Sequence, residues 1–81
     1  MKAKIHVTLK QGILDPQGKA IELSLHTLGY EEVREVRAGK YIELELDATS
    51  RDAAELRIRE ICDKLLANPV IEDFRYEMNA E

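Results

Sequence analysis

Ala3, Ile5, Val7 and Leu9 alternate with Lys4, His6, Thr8 and Lys10. A period of two marks a strand with one buried and one wet face, so this stretch predicts a first strand. Gln11 to Leu14 break the alternation, and Asp15-Pro16 supplies a capping carboxylate followed by a ring already set for the first helical position. In the helix that follows, Ile21, Ser24, Leu25 and Leu28 fall on one side, and Gly29 is placed to end it in the left-handed conformation. Gly18, in the first turn, lowers helix propensity and points to a close backbone approach.

From Val36 to Ala48 the even positions Val36, Ala38, Ile42, Leu44, Leu46 and Ala48 are mostly apolar, while Glu43, Glu45 and Asp47 point the other way. Gly39 interrupts the run, and two readings stay open. One is a hairpin turning through Ala38-Gly39-Lys40; the other is a single long bent strand that projects beyond the protomer and pairs with another copy. Thr49-Ser50-Arg51-Asp52 is a capping signature, after which Ala54, Ile58, Ile61, Cys62 and Leu65 form the buried stripe of a second helix. Asn68-Pro69 stops it. A last strand is predicted from about Val70 to Met78, with Val70, Phe74, Tyr76 and Met78 on one face and Asn79 to Glu81 as a short tail.

The order β-α-β(β)-α-β predicts an α+β two-layer sandwich: a mostly antiparallel sheet with two helices on one face, the central long strand being shared in an oligomer under the second reading. Residues 1–81 make a single domain. A chain this short buries only about 60% of its unfolded surface, so sharing a core with a partner is an expected route to stability.

Charge narrows the function classes. Twelve Lys/Arg against sixteen Asp/Glu leave a net charge of −4, which argues against nucleic acid as a partner. The longest apolar runs are two or three residues, so no membrane span is expected, and the Met-Lys-Ala-Lys start is not a secretory signal. A lone Cys62 fits a reducing compartment; the expected location is the cytoplasm.

Catalytic chemistry finds little support. His6 sits on the wet face of the first strand and His26 opposite the Ile21/Leu25/Leu28 stripe, both expected to be solvated, and neither has a second ligand at metal spacing. Cys62 falls in an apolar stripe, where burial disfavours a thiolate. Gly12 to Lys19 outwardly matches a phosphate loop, yet it has five residues between its glycines instead of four and lacks Ser/Thr after the lysine. Glu31-Glu32 and Glu43/Glu45/Asp47 lie on solvated faces, where a carboxylate cannot act as a general acid near neutral pH. Tyr41 is the only aromatic on a polar face mid-sheet, too few for an RNA-stacking platform.

Two features suit docking instead. Leu23 and Leu56 project opposite the buried stripe of their own helices, either as isolated exposed leucines or as one patch. Under the hairpin reading the loops at Gly12, Gly39 and Asn68-Pro69 share one tip, made locally basic by Lys10, Arg37 and Lys40.

At these same loops, Leu9-Lys-Gln-Gly-Ile-Leu-Asp-Pro-Gln-Gly-Lys-Ala20, Leu28-Gly29, Val36-Arg-Ala-Gly-Lys40 and Cys62-Asp-Lys-Leu-Leu-Ala-Asn-Pro-Val-Ile-Glu72 closely resemble the PurS family, the small subunit of multi-subunit phosphoribosylformylglycinamidine (FGAM) synthase. The resemblance covers essentially the whole chain. It implies a role in de novo purine biosynthesis, where formylglycinamide ribonucleotide is converted to formylglycinamidine ribonucleotide with ATP and glutamine. In that family a glutaminase subunit releases ammonia and a synthetase subunit uses it, with ATP and Mg acting in the synthetase. The small subunit joins the two as a homodimer or homotetramer, supporting ammonia transfer with no catalytic residue, cofactor or metal of its own. It also favours the projecting strand at Gly39. The residues expected to meet the partners are Lys10, Gly12, Asp15, Pro16, Gln17 and Gly18 in the first loop, and Arg37, Gly39 and Lys40 in the second. The alternative is a stand-alone βαββαβ module that senses a small molecule and regulates an attached enzyme.

Overall fold

Strand β1 (Lys2–Leu9) is the centre of the sheet, flanked by β2 (Gly39–Glu45) and β3 (Glu72–Asn79) in the order β2-β1-β3, both pairings antiparallel. The computed structural model describes residues 1–79 and adds two helices, α1 (Pro16–Thr27) and α2 (Arg51–Ile61), the second running on into a π-helical turn at Cys62–Leu66. The class, the antiparallel sheet and the order of elements are those the hydrophobic pattern predicts.

The alternation of β1 sets the core. Ala3, Ile5 and Val7 are buried, and the register places Leu44 and Met78 beside Ala3, Ile42 and Tyr76 beside Ile5, and Phe74 beside Val7. From α2 and the segment after it, Ala54, Ile58, Cys62 and Ala67 close over this face. Burying side chains the size of Ile5 and Ile58 is worth about 1.5–3 kcal/mol each, which is what fixes α2 on the sheet.

Helix α1 behaves differently. Among the described residues it contributes none to the buried cluster, and only Gly18 of the helix is itself buried. Both ends are nonetheless well made. Asp15 caps the start with Pro16 in the first turn, and Gly29, at φ +101°, closes the end. There the N–H of Gly29 donates to His26 O at 3.0 Å and that of Tyr30 to Leu25 O at 2.9 Å, the paired bonds of a Schellman motif. Local chemistry makes α1 a helix; packing within this protomer does not.

Four expectations are corrected. The run from Val36 is not all strand: the ladder begins at Gly39, opposite Thr8, because the chain before it runs past the end of β1 and lies along the first turn of α1 instead. Gly39 therefore opens a strand and turns no hairpin. Leu65, expected in the buried stripe, is 79% exposed, while Leu66 packs on the core. The π turn, closed by the Ala67 N–H to Cys62 O bond at 2.9 Å, adds a residue and rotates the stripe by one position. Val70 is also exposed, since β3 starts at Glu72, after the Asn68–Ile71 turn. The expected tail from Asn79 enters β3 at Asn79 itself, and its last two residues lie outside the described residues.

Candidate partner-binding tip

One end of the sheet gathers the end of β1, the start of β2 and the start of β3, with Gly39 opposite Thr8 and Glu72 opposite Leu9. The Lys10 N–H donates to Ile71 O at 2.8 Å, tying the first loop to the last. Beyond it, Ile13 N–H returns to Lys10 O at 3.2 Å in a β-turn whose third residue, Gly12, has φ +84° and open space around it. Type II turns need that positive φ, which explains a glycine here.

Asp15 organises the rest. One carboxylate oxygen accepts the Gly18 N–H at 2.9 Å, capping α1, and the other accepts the Ala38 N–H at 2.8 Å, fastening the segment that leads into β2. The Gly18 and Ala38 N–H groups hold the Asp15 carboxyl below its ordinary pKa, burial opposes them, and the nearby Arg37 charge adds a smaller depression. Gly18 is required by the same arrangement: a Cβ there would collide with the Val36 carbonyl oxygen and the Asp15 carboxylate. A Cβ on Gly39 would strike the Val7 carbonyl oxygen.

The basic side chains reach across the tip. Arg37 donates to the Leu9 carbonyl, Lys40 Nζ donates to Leu66 O at 3.2 Å, and Lys10 Nζ lies 3.8 Å from an Asp73 oxygen. Exposed Pro16 and Gln17 line, with Gly39 and Lys40, a cavity of about 290 Å³. A wider groove of about 510 Å³ runs between Lys10–Asp15 and Arg34–Arg37. All nine residues singled out in the sequence thus lie at one end. Asp15, Gly18 and Gly39 shape its backbone, Arg37, Lys10 and Lys40 brace it, and Gly12, Pro16 and Gln17 are exposed on it.

The aliphatic side chains of this tip escaped the sequence reading. Ile13 and Leu14 register there only as a break in alternation, and Val70 as part of a buried face, yet all three are exposed. The available signal was an apolar pair between Gly12 and the Asp15 cap, in a segment with no period.

Elsewhere, both histidines are more engaged than a solvated reading implies. His26 Nε2 donates to Val33 O at 2.6 Å, pinning the end of α1 to the following segment. His6 is half-buried on the open sheet face, 5.0 Å from the Tyr41 ring and 3.7 Å from a Glu77 oxygen. Burial, followed by the neighbouring Asp63 charge, pushes the Cys62 thiol pKa up. Leu23 and Leu56 are exposed as expected, on helices of which only α2 joins the core. Among the described residues no cluster of three or more His, Cys, Asp or Glu side chains could hold a metal ion, and no helix is long and apolar enough to cross a membrane.

The family model for PurS, phosphoribosylformylglycinamidine (FGAM) synthase, matches residues 2–80. The FGAM synthase subunit PurS of Bacillus subtilis is 51% identical over 77 residues, 95% of this chain and 90% of that one. Its crystal structure superposes with a TM-score of 0.87 at 49% identity, covering 98% of each chain. A chain in the structure of PurLQS from Thermotoga maritima gives a TM-score of 0.86 at 33% identity, covering 94% of this chain and 93% of that one. With three antiparallel strands and two helices in the order β-α-β-α-β and these matches over nearly the whole chain, this chain belongs to the PurS family, subunits of FGAM synthase in purine biosynthesis.

Proposed function

We propose that this chain is the non-catalytic bridge of its FGAM synthase: it holds a glutaminase subunit and a synthetase subunit together and supports ammonia transfer between them. The relative found within PurLQS supports carrying such an assembly over. Ammonia is lost to protonation and diffusion unless the two active sites are coupled, and a rigid module supplies that coupling through binding energy. ATP and Mg act in the synthetase, the chain works in the cytoplasm, and Lys10, Gly12, Asp15, Pro16, Gln17, Gly18, Arg37, Gly39 and Lys40 form its heteromeric contact.

The observation that carries this reading is an unfinished protomer. Its accessible surface is 6089 Å² for 9.3 kDa. A compact monomer of that mass exposes about 5,000 Å². The excess, about 1,100 Å², is close to the roughly 800 Å² that each partner buries in a standard interface. Its radius of gyration is 16.1 Å, where a compact chain of this length has about 12 Å. Ile21 and Leu23 on α1 and Leu28 at its C-cap are among the exposed apolar side chains. A second copy covering α1 makes the working form a homodimer or a homotetramer built from it.

The test is product formation by purified synthetase and glutaminase subunits, with and without this chain, using glutamine or ammonium as nitrogen source. The chain is expected to be required with glutamine and far less with ammonium. Equal rates without it from both sources would overturn the bridging role.

A further inference from the structure

We propose that self-association of this chain through α1 and binding of a synthetase or glutaminase subunit at its tip are energetically coupled, because the tip is divided between two bodies of the protomer and a cover on α1 fixes how they sit. The proposal rests on the bridging reading and adds the regulation of that same site.

Residues 15–38 close on themselves. At one end the Ala38 N–H donates to the Asp15 carboxylate at 2.8 Å, and the Val36 carbonyl oxygen lies so near Gly18 that a Cβ there would collide with it. At the other end the Gly29 and Tyr30 N–H groups bond back into α1, the Val33 N–H donates to Tyr30 O at 3.3 Å, and His26 Nε2 donates to Val33 O at 2.6 Å. Helix and returning segment thus form one body. The second body is the sheet with α2 over it. Among the described residues, the whole buried cluster and every half-buried apolar side chain packed on it lie outside residues 15–38. The two bodies are joined by the loop of residues 10–14, by the peptide entering Gly39 and by the Arg37 side chain donating to the Leu9 carbonyl.

The tip falls across this joint. Asp15 to Gly18 and Arg37 belong to the first body, Gly39 and Lys40 to the second, and Gly12 to the loop between them. A joint with no shared apolar core behind it opens at low free energy, so the two halves of the tip change relative position readily. A subunit that grips both halves must fix that position, and the ordering is subtracted from its affinity. Helix α1 lies in the same body as Asp15 and Arg37, and Ile21 and Leu23 leave part of it apolar and exposed. In a two-fold dimer each α1 rests on the other copy, so both joints are closed within one ring of contacts. The first association then bears the ordering cost and the second is relieved of it, which is positive coupling without any new contact at the tip.

The experiment follows amide hydrogen exchange in the full chain, with no subunit present, from well below to well above the concentration at which light scattering shows it to associate. In the dissociated chain the N–H groups of residues 15–38 are expected to exchange at least about tenfold faster than those of β1. Association is expected to slow exchange at Ile13 and Ala38, which lie at the tip and outside α1, by at least about fivefold. Calorimetry then compares wild type with Ile21→Asn combined with Leu28→Asn, which leaves the tip unaltered; the dissociated variant is expected to bind the subunit about 5- to 150-fold more weakly. Exchange at Ile13 and Ala38 that does not respond to association, or a dissociated variant that binds within about twofold of wild type, would overturn the coupling. Weaker binding by the variant without slowed exchange at the tip would mean two tips acting together on one partner, and would overturn it too. The exchange series needs no variant, so it decides the matter even where the double substitution misfolds or stays associated. Wild-type chain that binds neither subunit would instead overturn the bridging reading, a result on which the exchange measurement does not depend.

Discussion

Asp15 and Ala38, 23 positions apart, are joined by a 2.8 Å hydrogen bond from the Ala38 N–H to the Asp15 carboxylate, whose other oxygen caps α1 through Gly18. One side chain thereby sets both where the helix starts and how the approach to β2 lies against it. The bond is charge-assisted, so its strength follows the ionisation of Asp15.

That dependence has a definite sign. The folded pKa of Asp15 lies below its ordinary value of 3.8, so its contribution to stability is complete above the unfolded pKa and fades as pH falls through the depressed folded value. Asp15→Asn is expected to lower the thermal midpoint at pH 7, with the gap from wild type narrowing as the pH is taken below 3.8. Thermal unfolding of both proteins over that range measures it; a gap that stays constant would remove the carboxylate from this role.

Glycine substitutions separate crowding from backbone strain. Gly18→Ala places a methyl against the Val36 carbonyl, a backbone atom that cannot swing away, and is expected to cost about 1–3 kcal/mol in urea unfolding. Gly12→Ala has free space but keeps φ +84°, so it is expected to cost about 1–2 kcal/mol from strain alone. Replacing Gly12 by Asn, which tolerates that φ, should recover most of the loss, whereas Gly18→Asn should be worse than Gly18→Ala.

The π turn makes two adjacent leucines unequal. Leu66→Ala empties a place against the core and is expected to cost about 2–3 kcal/mol, while Leu65→Ala, at a site 79% exposed, is expected to fall within about 0.5 kcal/mol of wild type. Equal costs in chemical denaturation would mean the helix continues regularly past Cys62.

On α1, Ile21→Asn with Leu28→Asn removes exposed apolar area without touching the buried cluster. The expected result is dissociation at micromolar concentration, followed by sedimentation, with the helical signal largely kept in the dissociated chain. An unchanged mass would place the self-association surface elsewhere.

The sensor alternative is separable by ligand binding. Glutamine, or ATP with Mg, added to this chain alone is expected to leave its melting temperature unchanged. A ligand present at a hundred times its Kd would add about 2.7 kcal/mol of stability and be plain in the melt. Such a rise would favour the small-molecule-sensing module.

Much of this architecture was legible in the residues. The Ala3/Ile5/Val7 alternation, the Asp15-Pro16 and Ser50 caps and the Gly29 stop are local signals, and local chemistry decided them. Even the close approach at Gly18 followed from its misplaced low propensity. What the pattern could not convey was long-range. Periodicity marks Ile21, Leu25 and Leu28 as one face without saying that α2, and not α1, closes over the buried face of the sheet. It cannot register a π turn, whose extra residue at Cys62–Leu66 changes the phase with no change in composition. The tip's braces, Arg37 to Leu9 and Lys40 to Leu66, span 28 and 26 positions and leave no local trace.

The pairing of Lys2 with Asn79 also has a consequence for how the molecule is made. The central strand is synthesised before both of its neighbours, and β3 follows only after β2 and both helices, so Ala3, Ile5 and Val7 wait with a bare flank until β3 is made. Closing that gap requires contacts between residues far apart in sequence, the slow kind to form. Until then the nascent chain carries an open apolar strand edge, a state prone to wrong pairing. The sheet is therefore expected to close only once β3 has emerged, and removing even part of β3 should leave an aggregating product rather than a smaller folded one.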